Sequence, residues 1–153
     1  MKILGLRCTP KEFSYIVIEG NQKVHKLTHS SRIRFPTGYL HCELLKWFYH
    51  EIAELIKKYE INAVGVKGTE AMGMKGKSYG ERMELEAMIF LQASMSGVKY
   101  AKRKVSATIA KDLGLKGKGK YLATGFDYSA ITNFDEMSEH LQEATQVALS
   151  MAK

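Results

Sequence analysis

The sequence predicts one α/β domain: a mixed five-stranded sheet, its first three strands antiparallel, with helices on both faces. Three observations predict it. The first thirty residues hold three short β-type runs joined by tight turns, the middle alternates between helical and strand periods, and the end reads as helix. Hairpin-joined strands followed by strand–helix alternation give antiparallel pairing first and parallel pairing after it.

Residues 3–6 are apolar with Gly5 among them, and residues 13–18 are rich in β-branched and aromatic side chains. Glu19, Gly20, Asn21 and Gln22 suit a hairpin turn into an edge strand over 24–28, and residues 30–38, with Pro36, read as a loop. Leu44, Phe48, Ile52, Leu55, Ile56 and Tyr59 then recur at spacings of three and four, one face of an amphipathic helix with Glu51, Glu54 and Lys58 opposite. Residues 61–66 form a short apolar run of the kind covered on both sides. A loop rich in glycine and lysine over 67–80 leads to a second helix, 81–96. That helix is apolar nearly all round at Ala87, Met88, Ile89, Phe90 and Leu91, so it is expected to be deeply buried, and Gly97 stops it. Residues 98–101 read as the fifth strand and 103–113 as a short helix ended by Gly114. The segment 121–128 fits neither period. Met137, Leu141, Ala144, Ala148 and Met151 make the stripe of a last helix, with Asp135 or Asn133 as its cap.

Composition agrees with one domain. The 153 residues are 45% hydrophobic and 25% charged, enough for a real core and unlike a disordered chain. No apolar run approaches the ~20 residues that span a bilayer, and the short apolar stretch at the amino terminus does not read as a secretory signal. Two cysteines, Cys8 and Cys42, suit a reducing compartment, and no Cys/His cluster has zinc spacing. A cytoplasmic protein without metal or cofactor is expected. The net charge of +7 is unevenly spread. Lys99, Lys102, Arg103, Lys104, Lys111, Lys116, Lys118 and Lys120 face only Asp112, whereas Asp135, Glu136, Glu139 and Glu143 near the end face only Lys153.

Several local patterns then point to a family. Ile3-Leu4-Gly5-Leu6, with a hairpin to Tyr15-Ile16-Val17-Ile18, resembles the opening of the RuvC-type Holliday junction resolvases of the ribonuclease H-like group. Tyr59-Glu60-Ile61-Asn62-Ala63-Val64-Gly65-Val66 resembles that family's helix-to-fourth-strand junction. Gly97-Val98-Lys99-Tyr100-Ala101, with Lys104-Val105, resembles its fifth strand and following helix. The resemblance covers most of the chain, extends to a small bacterial family of the same layout, and implies a RuvC-like fold and a homodimer.

It also implies a metal site. Such enzymes hold two divalent cations about 4 Å apart with carboxylates from the first strand, the fourth strand and the last helix. Here the corresponding positions fall on Arg7, Lys67 and, in the last helix, near Gln142 and Thr145. Replacing two carboxylates by two cations shifts the local charge by about four units, each unit pair worth about 1–4 kcal/mol at short range. Such a site repels Mg²⁺. No catalytic residue is therefore expected, with Glu70 the one carboxylate near enough to support a rearranged nuclease. Glu136, Glu139 and Glu143 should lie on the wet face of their helix. His25 and His29 would share a strand face, with His41 and His50 flanking the first helix, and none has a third ligand at metal spacing.

Two loops remain, Met72-Gly73-Met74-Lys75-Gly76-Lys77-Ser78 and Leu115-Lys116-Gly117-Lys118-Gly119-Lys120. Glycine lets backbone N–H groups approach an anion and lysine adds charge, and the first loop runs into a helix N-terminus, although neither has Walker spacing. The expectation is a catalytically degenerate nucleic-acid binder, DNA or RNA, that uses Arg7, Lys67, Lys75, Lys77, Arg103, Lys104, Lys116, Lys118 and Lys120. The alternative is an interaction module. In it Arg7 pairs with Glu70 inside a dead cleft, and one of Trp47, Phe48 and Tyr49, which cannot all face inward, marks a partner surface.

Overall fold

In the computed structural model, which describes residues 1–70, 73 and 75–152, apolar alternation produces a five-stranded sheet in the order β3-β2-β1-β4-β5. The strands are β1 (Lys2–Cys8), β2 (Glu12–Gly20), β3 (His25–Arg34), β4 (Ala63–Lys67) and β5 (Tyr100–Lys104). β1–β2 and β2–β3 pair antiparallel, whereas β1–β4 and β4–β5 pair parallel. The helices are α1 (His41–Tyr59), α2 (Lys77–Met95), α3 (Ser106–Asp112) and α4 (Glu139–Met151), with a single 3₁₀ turn at Phe134–Glu136.

The two sheet faces make two cores. Leu4, Leu6, Phe13, Tyr15, Val17, Val64 and Val66 pack under α1 and α2, with Phe48 in edge contact with Phe13 at 4.9 Å. Ile3, Ile16, Ile18 and Ala63 pack under α3 and α4, and Tyr128 stacks on Phe134 at 3.9 Å in the segment that roofs α4. All five residues of β4 are buried, as an apolar run covered on both sides requires. Glycine sets how closely α4 lies. Gly5 and Gly65 are register partners on β1 and β4. A Cβ on Gly5 would sit 2.1 Å from the Ala144 carbonyl oxygen, and one on Gly65 would sit 2.9 Å from Met151 Cγ.

Five expectations are corrected. β3 continues to Arg34 through residues expected to be a loop, because an edge strand with one wet face carries polar residues at alternate positions. Its pairing skips Thr28, and this bulge reverses side-chain parity. His29 therefore stacks near Tyr59 on the α1 face while His25 stacks on Phe126 across the sheet, so the two histidines do not share a face. α2 is not buried all round: Arg82, Leu85, Glu86, Ile89, Gln92 and Ala93 face inward, while Leu91 is 49% and Met95 70% exposed. α4 is capped by Ser138, whose Oγ accepts from Leu141 N, and not by Asp135 or Asn133. β5 and α3 each begin two to three residues later than expected, at Tyr100 and Ser106.

Candidate functional site

Sheet register places five polar residues in one row near the carboxyl ends of the parallel strands. Ser14 pairs with both Arg7 and Arg32, and Lys67 pairs with Lys104. Leu6 pairs with Val66, so the next residues, Arg7 and Lys67, are neighbours. Alternation turns them away from the α1–α2 core and toward α4. The row reads Arg32–Ser14–Arg7–Lys67–Lys104.

Each cation in the row holds a carboxylate. Arg7 Nε donates to Glu143 Oε2 at 2.5 Å, and Arg32 Nη2 donates to Glu12 Oε1 at 2.8 Å. Lys67 Nζ donates to Glu70 Oε1 at 2.8 Å and to the Gly68 carbonyl at 2.8 Å. Lys104 Nζ donates to Asp112 Oδ2 at 2.7 Å and to the Ser150 carbonyl at 2.9 Å. Beneath them lies a triad from helix and strand built on a buried carboxylate. Glu86, fully buried, accepts from Arg82 Nε at 3.1 Å and from Arg103 Nε at 2.7 Å. Arg82 also donates to the Lys67 carbonyl at 2.5 Å, tying α2 to the end of β4. Burial first, and then the positive charge of Arg7, hold the Arg82 pKa below its usual value.

Glu70 has a second task. Its Oε1 accepts from Ser106 N at 3.0 Å and from Ser106 Oγ at 2.5 Å, so it caps the start of α3. Partial burial pushes its carboxyl up, but the hydrogen bonds from Lys67 and Ser106 outweigh this and hold it at about 2. A depressed carboxylate pKa contributes stability that is complete above the unfolded pKa near ~4.3. That contribution fades as pH falls toward about 2. Thermal melts should therefore separate the wild type from Glu70→Gln at pH 7 and bring the two together near pH 2. A gap of equal size at both pH values would show that the charge of Glu70 is not what matters.

One pairing and one placement differ from expectation. Arg7 meets Glu143 and not Glu70. Glu143 is not on a wet face, its side chain being only 21% exposed. A one-stripe projection fails for α4 because residues Ala144 to Ser150 are buried without interruption, between the sheet on one side and Leu122, Tyr128, Ile131 and Phe134 on the other. Gln142 donates to the Phe134 carbonyl and Thr145 to the Leu141 carbonyl, so neither points to Arg7 or Lys67 by a hydrogen bond. Arg82, Glu86 and Ser106 were not singled out from sequence, and Glu143 was weighed only to be set on the wet face. The only signal was a charged pair, Arg82 and Glu86, spaced four apart on the inward side of an apolar helix.

The remaining expected cations sit on the rim. Lys75 and Lys77 are exposed at the entrance to α2, with Lys75 lying 5.8 Å from the Tyr79 ring centre. Met72 and Met74 lie outside the described residues. Lys116, Lys118 and Lys120 are exposed in the turn-rich segment after α3. One shallow cleft runs from Arg7 to Ser78 and Tyr79. A second runs from Glu143 to Gly119 and Lys120. Arg7 thus shares a cleft with the start of α2, and its partner Glu143 shares one with the Gly119–Lys120 turn. Trp47 is half-buried, edge-on to Phe13 and Phe35, and so is spent in packing.

No protein-family model and no curated protein matches this chain. Solved structures do. RuvC of Thermus thermophilus in complex with Holliday junction substrate superposes with a TM-score of 0.71 at 13% identity, over 98% of this chain and 91% of that one. The fold is RuvC-like. The yeast mitochondrial Holliday junction resolvase Ydc2 gives 0.62 at 14% identity over 97% and 76%, and the fowlpox virus resolvase gives 0.59 at 9% over 99% and 96%.

A RuvC-like fold implies divalent metal at this end of the sheet, and the residues present do not fit it. The ends of β1 and β4 carry Arg7 and Lys67, and two nearby acids, Glu143 and Glu70, are each bonded to one of them. Among the described residues no three His, Cys, Asp or Glu side chains converge as a metal-binding group. Hard cations need convergent oxygens, and here the oxygens are already neutralised.

Proposed function

We propose that this protein binds nucleic acid across the carboxyl end of its sheet and does not cut it by two-metal chemistry. The observation that carries the reading is that the bonded pair Arg7 and Glu143 lines one cleft with the start of α2, where Lys75 and Lys77 are exposed, and another with the Gly119–Lys120 turn. The inner cations, Arg7, Lys67, Arg103 and Lys104, hold the site together through carboxylates. The outer ones, Lys75, Lys77, Lys116, Lys118 and Lys120, are open to phosphate. The net charge of +7 supports the same reading, as does the likeness of the fold to a resolvase solved on its junction substrate.

Fluorescence anisotropy with a four-way junction, duplex, single-stranded DNA and RNA at rising salt tests it. Affinity should fall steeply with salt. Changing Lys116, Lys118 and Lys120 together to glutamine should flatten the log–log slope by about 1 for each lysine that touches a phosphate. It should do so alike for every sequence tried. An unchanged slope removes that loop from the interface.

A homodimer is the second reading, and α2 favours it: Leu91 and Met95, four residues apart, leave an exposed apolar stripe. Sedimentation velocity should show a dimer that Met95→Glu dissociates. A monomer at all concentrations would remove this reading. Among the described residues no helix is long and apolar enough to cross a membrane.

A further inference from the structure

The geometry points to a phosphate-binding cleft between the β1–β2 turn and the first turn of α2, formed by Arg7, Arg82, Thr69, Ser78 and Tyr79. This deepens the nucleic-acid reading at the same end of the sheet, and rests on it only for which molecule carries the phosphate.

Four observations converge. The cleft lies at the carboxyl ends of adjacent parallel strands, where open α/β sheets take their ligands. Two guanidinium groups line it, one of them on Arg82, a residue only 8% exposed, and no lining residue is acidic. The acids that serve these arginines, Glu143 and Glu86, are not among the lining residues. Arg7 bonds Glu143, and Arg82 divides the single carboxylate of Glu86 with Arg103, which lies outside the cleft. The Thr69 hydroxyl is buried and has no hydrogen-bond partner among the described residues. Finally, α2 begins at Gly76 without a side-chain cap and with no acid in its first turn, so its first N–H groups keep their positive potential toward Ser78.

The size fits a phosphate and little more. The cavity is about 190 Å³, or about six waters at ~30 Å³ each. Small-molecule pockets begin near ~300 Å³. A phosphate oxygen placed between the guanidinium groups relieves their mutual repulsion, while Thr69 and Ser78 hydroxyls donate to the others.

The test uses the whole protein and inorganic phosphate as probe. Melting temperature is followed against added phosphate, with sodium chloride at matched ionic strength as control. The variants are Ser78→Asp and Thr69→Val. An acid in the first turn favours the helix, so Ser78→Asp should fold at least as well as the wild type while losing phosphate affinity tenfold or more. Thr69→Val, which removes only the hydroxyl, should lose a smaller, several-fold part. A wild-type response no larger than that to chloride overturns the proposal, as does an equal response in all three proteins.

Oligonucleotides then identify the source. If Ser78→Asp weakens 5′-phosphorylated strands and spares 5′-hydroxyl ones, the cleft takes a terminal phosphate. If it weakens both alike, the cleft takes a backbone phosphate. If the wild type binds no nucleic acid while its phosphate response still depends on Ser78, the cleft stands and the nucleic-acid reading falls.

Discussion

Replacing Glu86 by glutamine is expected to cost about 3–5 kcal/mol of stability, the largest loss of any single charge change in this chain. Glu86 has no exposed surface and serves two arginines from opposite elements, Arg82 on α2 and Arg103 on β5. Neutralising it leaves a buried guanidinium on Arg82 and a half-buried one on Arg103, whose face also lies 5.1 Å from the Phe90 ring centre. A buried ion pair adds little net stability when compared with well-packed apolar residues, but a broken one is expensive. The triple change Arg82→Met, Glu86→Leu, Arg103→Met should accordingly recover most of the loss. Urea melts at constant m-value decide it. A cost below about 1 kcal/mol for Glu86→Gln would mean that water reaches the triad.

Gly5→Ala should cost about 3 kcal/mol or more, well above Gly65→Ala. Both glycines sit under α4, but their obstacles differ. The new Cβ at position 5 meets a backbone carbonyl at 2.1 Å and Ala148 Cβ at 2.7 Å, neither of which can swing aside. At position 65 the nearest atom is Met151 Cγ at 2.9 Å, which can rotate, with Val147 O at 3.1 Å behind it. Relief at position 5 requires α4 to lift, and lifting α4 draws Glu143 from Arg7. Thermal unfolding of both variants should rank them in that order. Equal losses would show that α4 rides on the sheet less tightly than its packing implies.

Legibility followed the physics of each segment. The α1 stripe and the buried β4 run were plain because a long amphipathic face and a short apolar run have distinct periods. The second half of β3 was hidden because Ser30, Ser31, Arg32 and Arg34 lie on an edge strand, and its bulge at Thr28 is a pairing event with no local sequence mark. The Tyr121–Tyr128 stretch, ambiguous by period, forms turns whose apolar members, Leu122 and Tyr128, still pack on α4. At the site, the type and row of the central residues were readable: Arg7 and Lys67 stand side by side. Their partners were not readable, because Glu143 lies 136 residues from Arg7 in sequence and Glu70 caps a helix that begins 36 residues later. Pairing across such distances is set by how elements pack, which a linear pattern does not record.

The same pairings give the site its character. A row of cations at the ends of parallel strands, each balanced by a carboxylate, is a rigid and nearly neutral floor. Open charge is left to Lys75, Lys77, Lys116, Lys118 and Lys120 around it. Floor and rim divide the work: one orders the strand ends, the other is available to a polyanion.

The most direct test of this account is to incubate a labelled four-way junction with the protein in Mg²⁺ and in Mn²⁺, running native and denaturing gels side by side. The account predicts a shifted band on the native gel and intact strands on the denaturing one. Cut strands, lost in Glu70→Gln or Glu143→Gln, would contradict it and show that these carboxylates leave their cations to hold metal.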